Sequence, residues 1–224
     1  MKVIQVDRFI SDANDKDAAK LREDLKAKGV LFLNLMSSPG SGKTTFLSRT
    51  LQDLKDLRLA VMEADIASTV DAERIAALGA RSIQVHTGGM CHMDAGMTGA
   101  ALETLGTDEL DVIFLENVGN LICPAEFDTG AHKNVMILSV PEGDDKPLKY
   151  PLMFQQSDVL IVSKTDALPY FNFDLDKCRE RALRLNPDIK IFPVSAKTGE
   201  GMEAWENWLR EAREKNTSSV TAAP

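Results

Sequence analysis

Short apolar runs alternate along this chain with longer stretches in which apolar residues recur every three or four positions. Short runs of this kind are typical of buried strands, and the longer stretches are typical of helices that cover a sheet. We therefore predict strands at residues 30–36, 59–64, 82–86, 111–115, 134–140, 158–163 and 189–194. Helices are predicted at residues 12–28, 46–54, 71–78, 93–104, 175–185 and 201–215. The alternation indicates an α/β fold, a mostly parallel sheet with helices on both faces.

The length of the chain favours a single domain. Its 224 residues suit one large α/β domain better than two small ones, and neither a repeat nor a linker divides them. We expect residues 1–29 to form an N-terminal helical extension packed on a main domain of residues 30–215. Residues 216–224 are small and polar, which predicts a disordered tail.

Composition and charge narrow the range of partners. The formal net charge of −8 argues against nucleic acid or an anionic membrane as a partner. Apolar stretches are too short to cross a bilayer, and the first residues turn acidic before an apolar run develops, unlike a signal peptide. Three cysteines, Cys91, Cys123 and Cys178, cannot all pair with one another. These features predict a cytoplasmic protein whose cysteines are ligands, nucleophiles or core residues.

A phosphate-binding loop follows the first predicted strand. Residues 37–44 read SSPGSGKT and match the pattern G-x-x-x-x-G-K-[ST], except that a serine stands first. The glycines let successive backbone N–H groups converge on an anion, and the following helix presents its positive end. In this pattern the lysine reaches the β- and γ-phosphates and the next hydroxyl binds Mg²⁺. The predicted phosphate ligands are Gly40, Ser41, Gly42, Lys43, Thr44 and Thr45.

Acids at the ends of two strands are candidates for the magnesium shell and for catalysis beside Lys43. Glu116 ends the strand at 111–115, and Asp65 follows the strand at 59–64. An acid at the carboxyl end of a strand beside a phosphate loop can hold Mg²⁺ or orient water. For Asp65 the alternative is a helix N-cap or a turn. Gly119 is placed to offer its N–H to the γ-phosphate with no side chain in the way.

Two later segments predict recognition of guanine rather than adenine. Ser163, Lys164 and Asp166 lie in the sequence S-K-T-D after a strand, where GTPases usually carry Asn-Lys-x-Asp. The aspartate accepts two N–H groups that guanine has and adenine lacks, at about 1.5–3 kcal/mol each. The sequence Ser195-Ala196-Lys197 matches the second guanine loop, whose backbone N–H contacts the base oxygen. Serine in place of asparagine predicts a weaker tether to the phosphate loop and unchanged base choice.

A cysteine and a histidine are adjacent at Cys91-His92, and a second cysteine, Cys123, lies thirty-two residues farther on. Thiolate and imidazole form a soft ligand set for Zn²⁺, Ni²⁺ or Cu⁺. The alternative is that both cysteines are core residues. His86 and His132 are further ligand candidates, although a satisfied or exposed histidine is the simpler interpretation of each.

The segment after Gly119 connects the two chemistries, because Cys123 lies only four residues beyond it. Ordering of this segment by GTP would move a metal ligand. We therefore predict that GTP hydrolysis changes the affinity or the geometry of the metal site.

Beyond residue 30 the chain resembles the HypB family, GTPases that help to insert nickel into hydrogenase. The resemblance lies in the stretches SSPGSGKTT, CHMDA, ENVGNLICPAEFDTG, EGDDKPLKYPLMF, KTDALPYFNFD and TGEGMEAWENWL. It implies a P-loop fold of the SIMIBI type, GTP hydrolysis to GDP, and a homodimer promoted by GTP. It also implies a nickel or zinc site at the subunit interface formed by Cys91, His92 and Cys123. The implied partners are a HypA-type metallochaperone and the hydrogenase large subunit.

Departures from the family pattern bear on nucleotide affinity. Ala64 stands where glycine is expected, and Ser163 stands where asparagine is expected. Lys146 and Lys149 either reach nucleotide across a dimer or are solvated loop residues.

Other function classes share parts of this pattern. Urease accessory GTPases place their metal ligands in a Cys-Pro-His motif that this sequence lacks. A small-molecule kinase would use the phosphate loop without needing the guanine loops. A metal-storing or scaffold protein with a vestigial GTPase, or a GTPase switch with a structural zinc site, would carry both the nucleotide-binding loops and the Cys/His ligand set.

Overall fold

The computed structural model describes residues 6–65, 75 and 78–221. They form a seven-stranded parallel sheet with helices on both faces, which confirms the predicted fold class. Every predicted strand is present, and each boundary lies within one residue of its prediction. The strands are β1 (Leu31–Ser37), β2 (Leu59–Asp65), β3 (Arg81–His86), β4 (Val112–Glu116), β5 (Lys133–Ser139), β6 (Val159–Ser163) and β7 (Lys190–Pro193).

The described residues contain eight α-helices and two 3-10 helices, Val140–Glu142 and Thr165–Tyr170, and two of the α-helices begin at an aspartate that caps the first turn. Asp94 accepts from the Met97 N–H at 2.8 Å, and Asp174 accepts from the Lys177 N–H at 3.0 Å. The helices are α1 (Val6–Ala27), α2 (Lys43–Asp53), α3 (Ala95–Leu105), α4 (Cys123–Glu126), α5 (Lys146–Lys149), α6 (Pro151–Gln155), α7 (Leu175–Leu185) and α8 (Met202–Thr221). Most of the helix predicted at 71–78 lies outside the described residues. None of the described helices combines the length and apolar character needed to cross a membrane.

Strand order brings the candidate site residues to one edge of the sheet. The order is β3-β2-β4-β1-β5-β6-β7, so that β1 lies between β4 and β5. Parallel pairing places Leu35 opposite Glu116, and Glu116 opposite Glu63. Ligands of open α/β sheets bind beyond the carboxyl ends of the strands, where the order changes direction. The phosphate loop after β1 and the acid that ends β4 meet at this edge.

The central strand is buried on both faces. Leu33 packs in a cluster with Phe46 of α2 and Trp205 of α8, whereas Phe32 packs on the opposite face with Met62 of β2. All seven residues of β1 are buried, which explains why apolar residues occupy consecutive positions of the strand instead of alternating with exposed polar ones.

The two terminal helices are longer than predicted. Helix α1 begins at Val6 and not at residue 12. Helix α8 continues to Thr221, so the predicted disordered tail of 216–224 is helical as far as Thr221, and 222–224 lie outside the described residues. Asn216 Nδ2 donates to the Val30 carbonyl at 3.1 Å, and Thr217 Oγ1 donates to the Arg213 carbonyl at 2.7 Å. These bonds stabilise a segment whose polar composition had indicated fraying.

Candidate functional site

The loop between β1 and α2 forms a cradle for an anion. Gly40 and Gly42 adopt φ values of +72° and +96°, which a residue with a Cβ rarely adopts. Gly42 is the N-cap of α2, and within the described residues no side chain caps this helix end. The N-terminal N–H groups of α2, with the positive end of its dipole, are therefore available to a phosphate.

Serine at the first loop position organises the cradle. The buried Ser37 hydroxyl accepts from Ser41 Oγ at 2.6 Å and from Lys43 Nζ at 2.9 Å, and it donates to the Ser38 carbonyl at 2.8 Å. The departure from glycine thus supplies a hydroxyl that holds the loop lysine beside the cradle. Sequence reasoning recorded this serine only as a mismatch.

A cavity of about 580 Å³ lies over the loop. Thr44 Oγ1 donates to Glu116 Oε1 at 2.9 Å across it, which brings together two predicted magnesium ligands. Asp65 ends β2 as expected, although its side chain lies outside the described part of the chain. Thr45 and Lys43 line the same cavity, together with Gly40 and Gly42.

A second buried acid, Glu63, was missed by sequence reasoning. It lies in β2 opposite Glu116, lines the same cavity and is only 4% exposed. Two carboxylates in register on neighbouring strands repel each other unless a cation or a proton lies nearby. The sequence signal was available, because Glu63 interrupts an otherwise apolar strand, Leu59-Ala60-Val61-Met62.

Gly119 contacts the phosphate loop directly. A Cβ at this position would lie 3.1 Å from both the backbone N and the Cγ of Pro39. Any side chain at this position would force Pro39 to shift by a few tenths of an ångström, and the backbone of residue 119 lines the phosphate cavity. Its predicted role at the γ-phosphate is compatible with this location.

The predicted guanine loop is hydrogen-bonded to the phosphate loop. Ser163 Oγ donates to the Ser41 carbonyl at 2.7 Å, and both residues are buried. Lys164, with a left-handed φ of +60°, donates from Nζ to the Gly40 carbonyl at 2.7 Å. Ser163 therefore connects the two loops directly, at a position where the replacement of asparagine had predicted a weaker tether.

The two guanine loops also contact each other. Ser195 Oγ donates to Asp166 Oδ1 at 2.7 Å, and the Thr165 N–H donates to the Val194 carbonyl at 3.1 Å. Asp166 is thereby oriented before any base arrives. The next residues of the second loop, Ala196 and Lys197, are half-buried and exposed respectively.

The three predicted soft ligands converge. Ligand atoms of Cys91, His92 and Cys123 all lie within 4.8 Å of one another. The two sulfurs are 2.9 Å apart, and on a tetrahedral Zn²⁺ with bonds of about 2.3 Å they would separate to about 3.8 Å. The imidazole is stacked on the ring of Phe127, with centroids 3.8 Å apart and planes 11° apart. Phe127 fixes the ring of His92, a role that no sequence pattern indicated.

Protonation of the ligands differs between nitrogen and sulfur. Burial lowers the pKa of His92, which favours the neutral imidazole that binds metals. The hydrogen bond to Cys123, helped by desolvation, raises the pKa of the Cys91 thiol. A metal ion that binds the Cys91 sulfur would therefore displace its thiol proton and release it to solvent.

A buried asparagine, Asn117, links the cavity over the phosphate loop to the segment that carries the candidate metal ligands. Asn117 follows Glu116, lines the cavity and is 1% exposed. Its Oδ1 accepts from the Met93 N–H at 3.3 Å, one residue after the histidine ligand. Its Nδ2 donates to Asn34 Oδ1, and Asn34 in turn donates to Asn134 Oδ1, each at 3.0 Å.

The remaining histidines and the third cysteine lie outside this cluster. His86 is exposed at the end of β3. His132 Nδ1 accepts from the Phe32 N–H at 3.0 Å, and its Nε2 lies 2.9 Å from the Arg22 carbonyl. Burial lowers the pKa of His132 to about 4, so it is a neutral structural residue. Cys178 is fully buried, and burial raises its pKa to about 12.

Both candidate lysines have partners within the chain. Lys146 Nζ lies 3.9 Å from Glu142 and 5.3 Å from the ring centroid of Tyr150. Lys149 pairs with Asp145 at 2.6 Å. A role at nucleotide bound to a second subunit would require these contacts to open.

Comparison with known proteins agrees with this arrangement. Residues 3–193 match the family described as the CobW/HypB/UreG nucleotide-binding domain. The chain is 50% identical over 209 residues, 93% of its length and 70% of the relative, to "Hydrogenase maturation factor HypB" of Rhizobium leguminosarum. It is 43% identical over 222 residues, 97% of its length and 91% of the relative, to "Hydrogenase/urease maturation factor HypB" of Helicobacter hepaticus. The crystal structure of HypB from Helicobacter pylori in complex with nickel has a TM-score of 0.86 and 41% identity, covering 92% of this chain and 97% of that one.

Proposed function

The chain belongs to the HypB family of hydrogenase maturation factors, and on that premise we propose that it is a GTP-hydrolysing metallochaperone. It binds nickel or zinc at Cys91, His92 and Cys123 and assists nickel insertion during [NiFe]-hydrogenase maturation. The observation that carries the GTPase assignment is the hydrogen bonding between the guanine loop and the phosphate loop. This contact fixes the distance between the loop that binds the base and the loop that binds the phosphates, so both can hold one nucleotide.

Hydrolysis depends on residues that stabilise charge on the phosphates. Lys43 leaves Ser37 to reach the β- and γ-phosphates, and the N–H groups at the start of α2 hold the anion. The Gly119 N–H meets the γ-phosphate. The oxygen donors Thr44 and Glu116 fit Mg²⁺, a hard cation that prefers oxygen ligands. When bound there, Mg²⁺ neutralises charge on the phosphates.

Base selection gives the sharpest test of the GTPase assignment. Asp166→Asn presents an N–H group where guanine also presents N–H groups, and it suits xanthine, which has an oxygen at that position. We expect GTP hydrolysis by the variant to fall at least a hundredfold and XTP hydrolysis to rise, with ATP poor for both proteins. Asp188→Asn, an exposed aspartate at the opposite end of the sheet, is the matched control. Equal hydrolysis of GTP and ATP by the unaltered protein would contradict the assignment, and turnover that survives Lys43→Ala would point to a contaminating enzyme.

The metal cargo binds to the soft site that lies beside the nucleotide cavity. Cys91→Ala or Cys123→Ala should abolish stoichiometric binding of Ni²⁺ and Zn²⁺ at neutral pH. Cys178→Ala is the control, because that thiol is buried away from the cluster. Retained binding in both ligand variants would remove the site from the proposal.

A homodimer promoted by GTP also belongs to the proposal. Large apolar side chains are exposed at Leu148 and Leu152 and, shortly after the guanine loop, at Tyr170 and Phe171, which are 82% and 46% exposed respectively. An exposed apolar surface of this kind suits association with a second subunit. Sedimentation with GDP and with a GTP analogue tests it, and an unchanged monomer would contradict it. A HypA-type metallochaperone and the hydrogenase large subunit are the proposed partners, in the cytoplasm, where the free thiols stay reduced.

Urease is a second candidate recipient of nickel. The Helicobacter hepaticus relative carries both hydrogenase and urease in its name. Restoration of hydrogenase activity alone, or of both activities, in a host lacking its own factor distinguishes the two assignments.

A further inference from the structure

One side chain of the N-terminal helix touches both segments that carry the soft ligands. Asn14 Nδ2 donates to the Asp128 carbonyl at 2.9 Å, and Asn14 Oδ1 accepts from the Ala95 N–H at 2.9 Å. Ala95 lies three residues after His92, and Asp128 lies five residues after Cys123. A residue far away in sequence therefore bridges the two halves of the site.

The bridge lies beside the point at which the two segments meet. Phe127 stacks on His92, and Asp128 is the next residue. Ala95 is the first residue of α3, and its N–H is among those that a helix leaves without an internal partner. Asn14 Oδ1 accepts from this N–H, and Asn14 Nδ2 donates to the backbone carbonyl of Asp128, the residue after the stacked Phe127.

The rest of α1 anchors the second segment firmly. Arg22 makes two hydrogen bonds to the Asp128 carboxylate, at 2.7 and 2.8 Å, and one to the Ala131 carbonyl at 2.9 Å. Gly130, at φ +80°, approaches α1 so closely that a Cβ would lie 3.0 Å from Leu21 Cβ. Residues 128–131 thus pack against α1, and Asn14 connects them to the segment that carries Cys91 and His92.

We propose that Asn14 is a positioning residue for the metal site, holding the Cys91-His92 segment and the Cys123 segment at a fixed separation. This inference rests on the proposed metal-binding function. The Asn14 carboxamide can accept from one backbone N–H and donate to another residue's carbonyl with the same planar group. Aspartate keeps the acceptor for Ala95 and favours the helix N-terminus, but it cannot donate to the Asp128 carbonyl. The N-terminal helix thereby becomes part of the frame of the metal site.

Asn14→Asp separates positioning from folding, since its charge favours the start of α3 while the bridge is lost. We would titrate the full chain with Ni²⁺ and Co²⁺ alone and record the thiolate-to-metal charge-transfer bands. Ni²⁺ affinity should fall about tenfold or more, the usual effect of losing an outer-shell partner. The charge-transfer bands should shift, while GDP affinity should stay within twofold of the unaltered protein. Asp17→Asn, on an exposed position of the same helix, is the matched control.

The outcomes distinguish this inference from the function on which it rests. If the unaltered protein binds Ni²⁺ through Cys91 and Asn14→Asp has the same affinity and spectrum, the positioning role is refuted and the metal site stands. If Cys91→Ala binds Ni²⁺ as well as the unaltered protein does, the proposed site is refuted and the inference with it. A weaker affinity with unchanged GDP binding and a changed spectrum supports the inference.

Discussion

Removal of the Ser163 hydroxyl tests how the two nucleotide loops are held together. Ser163 Oγ donates to the Ser41 carbonyl at 2.7 Å, and the two residues are 4% and 0% exposed. Ser163→Ala leaves this carbonyl without its side-chain donor in a buried setting, at a cost of about 1–3 kcal/mol. For a chain of this size each kcal/mol lowers Tm by roughly 2–4 °C. We expect Tm without nucleotide to fall by about 4–8 °C, corresponding to a loss of about 2 kcal/mol.

Nucleotide affinity should fall as well, because binding must then align loops that the tether aligns in advance. The loss of binding free energy cannot exceed the free energy that the hydrogen bond contributes to the fold. A contribution of about 2 kcal/mol therefore limits the weakening of GDP binding to roughly thirtyfold. We expect a decrease of between three- and thirtyfold for GDP and GTP alike, measured by calorimetry. The preference for guanine over adenine should persist, since Ser195 still orients Asp166.

Ser157→Ala is the matched control. Ser157 Oγ is equally buried and donates to the Met153 carbonyl at 2.7 Å, just before β6 begins, whereas Ser163 ends that strand at the nucleotide edge. The control should lose stability without losing affinity. If Ser163→Ala lowers Tm as the control does and leaves GDP affinity within twofold, the tether does not contribute to nucleotide binding.

Three further changes are predicted. Asn117→Leu removes the bond to the Met93 N–H, and we expect it to abolish any difference in Ni²⁺ affinity between GDP and a GTP analogue; a difference that persists refutes a role in coupling. Gly119→Ala places a Cβ 3.1 Å from Pro39 and should slow GTP hydrolysis at least tenfold with GDP affinity changed less than threefold; normal turnover would contradict the γ-phosphate role. His132 has a pKa of about 4 in the fold against an ordinary 6.5, so stability should be full above pH 6.5 and fall by up to about 3 kcal/mol as the pH drops toward 4. Unfolding titrations of His132→Gln should show a smaller loss across that window, and an identical loss would assign it to other groups.

The central strands β1, β4 and β6 were predictable because every residue in them is buried. Each apolar run is too short for a typical helix and is bounded by turn residues on both sides, which favours a strand. The short helices Cys123–Glu126, Lys146–Lys149 and Pro151–Gln155 were missed, since four or five residues are too few to display a helical period. A proline stands at the first or second position of each one, which is a local signal of a helix start.

The site was predictable where chemistry dictates residue type and order, as in the phosphate loop and at Cys91, His92 and Cys123. Residues that act through tertiary contacts were not. Asn14 is separated by 81 residues from one of its hydrogen-bond partners and by 114 from the other, and neither distance leaves a trace in local sequence. A single sequence cannot report such pairs, because they depend on how helices and strands pack.

We expect the bound nucleotide to control the affinity of the metal site. The most direct measurement is the dissociation constant for Ni²⁺ and for Zn²⁺, by competition with a chromophoric chelator, in saturating GDP and in a saturating non-hydrolysable GTP analogue. We predict at least a fivefold difference between the two nucleotides for one of the metals, within the usual range of coupling between sites, and the loss of this difference in Cys123→Ala. Equal constants in both nucleotides, for a protein that binds both nucleotides and binds metal through Cys91 and Cys123, would refute control of the metal site by nucleotide.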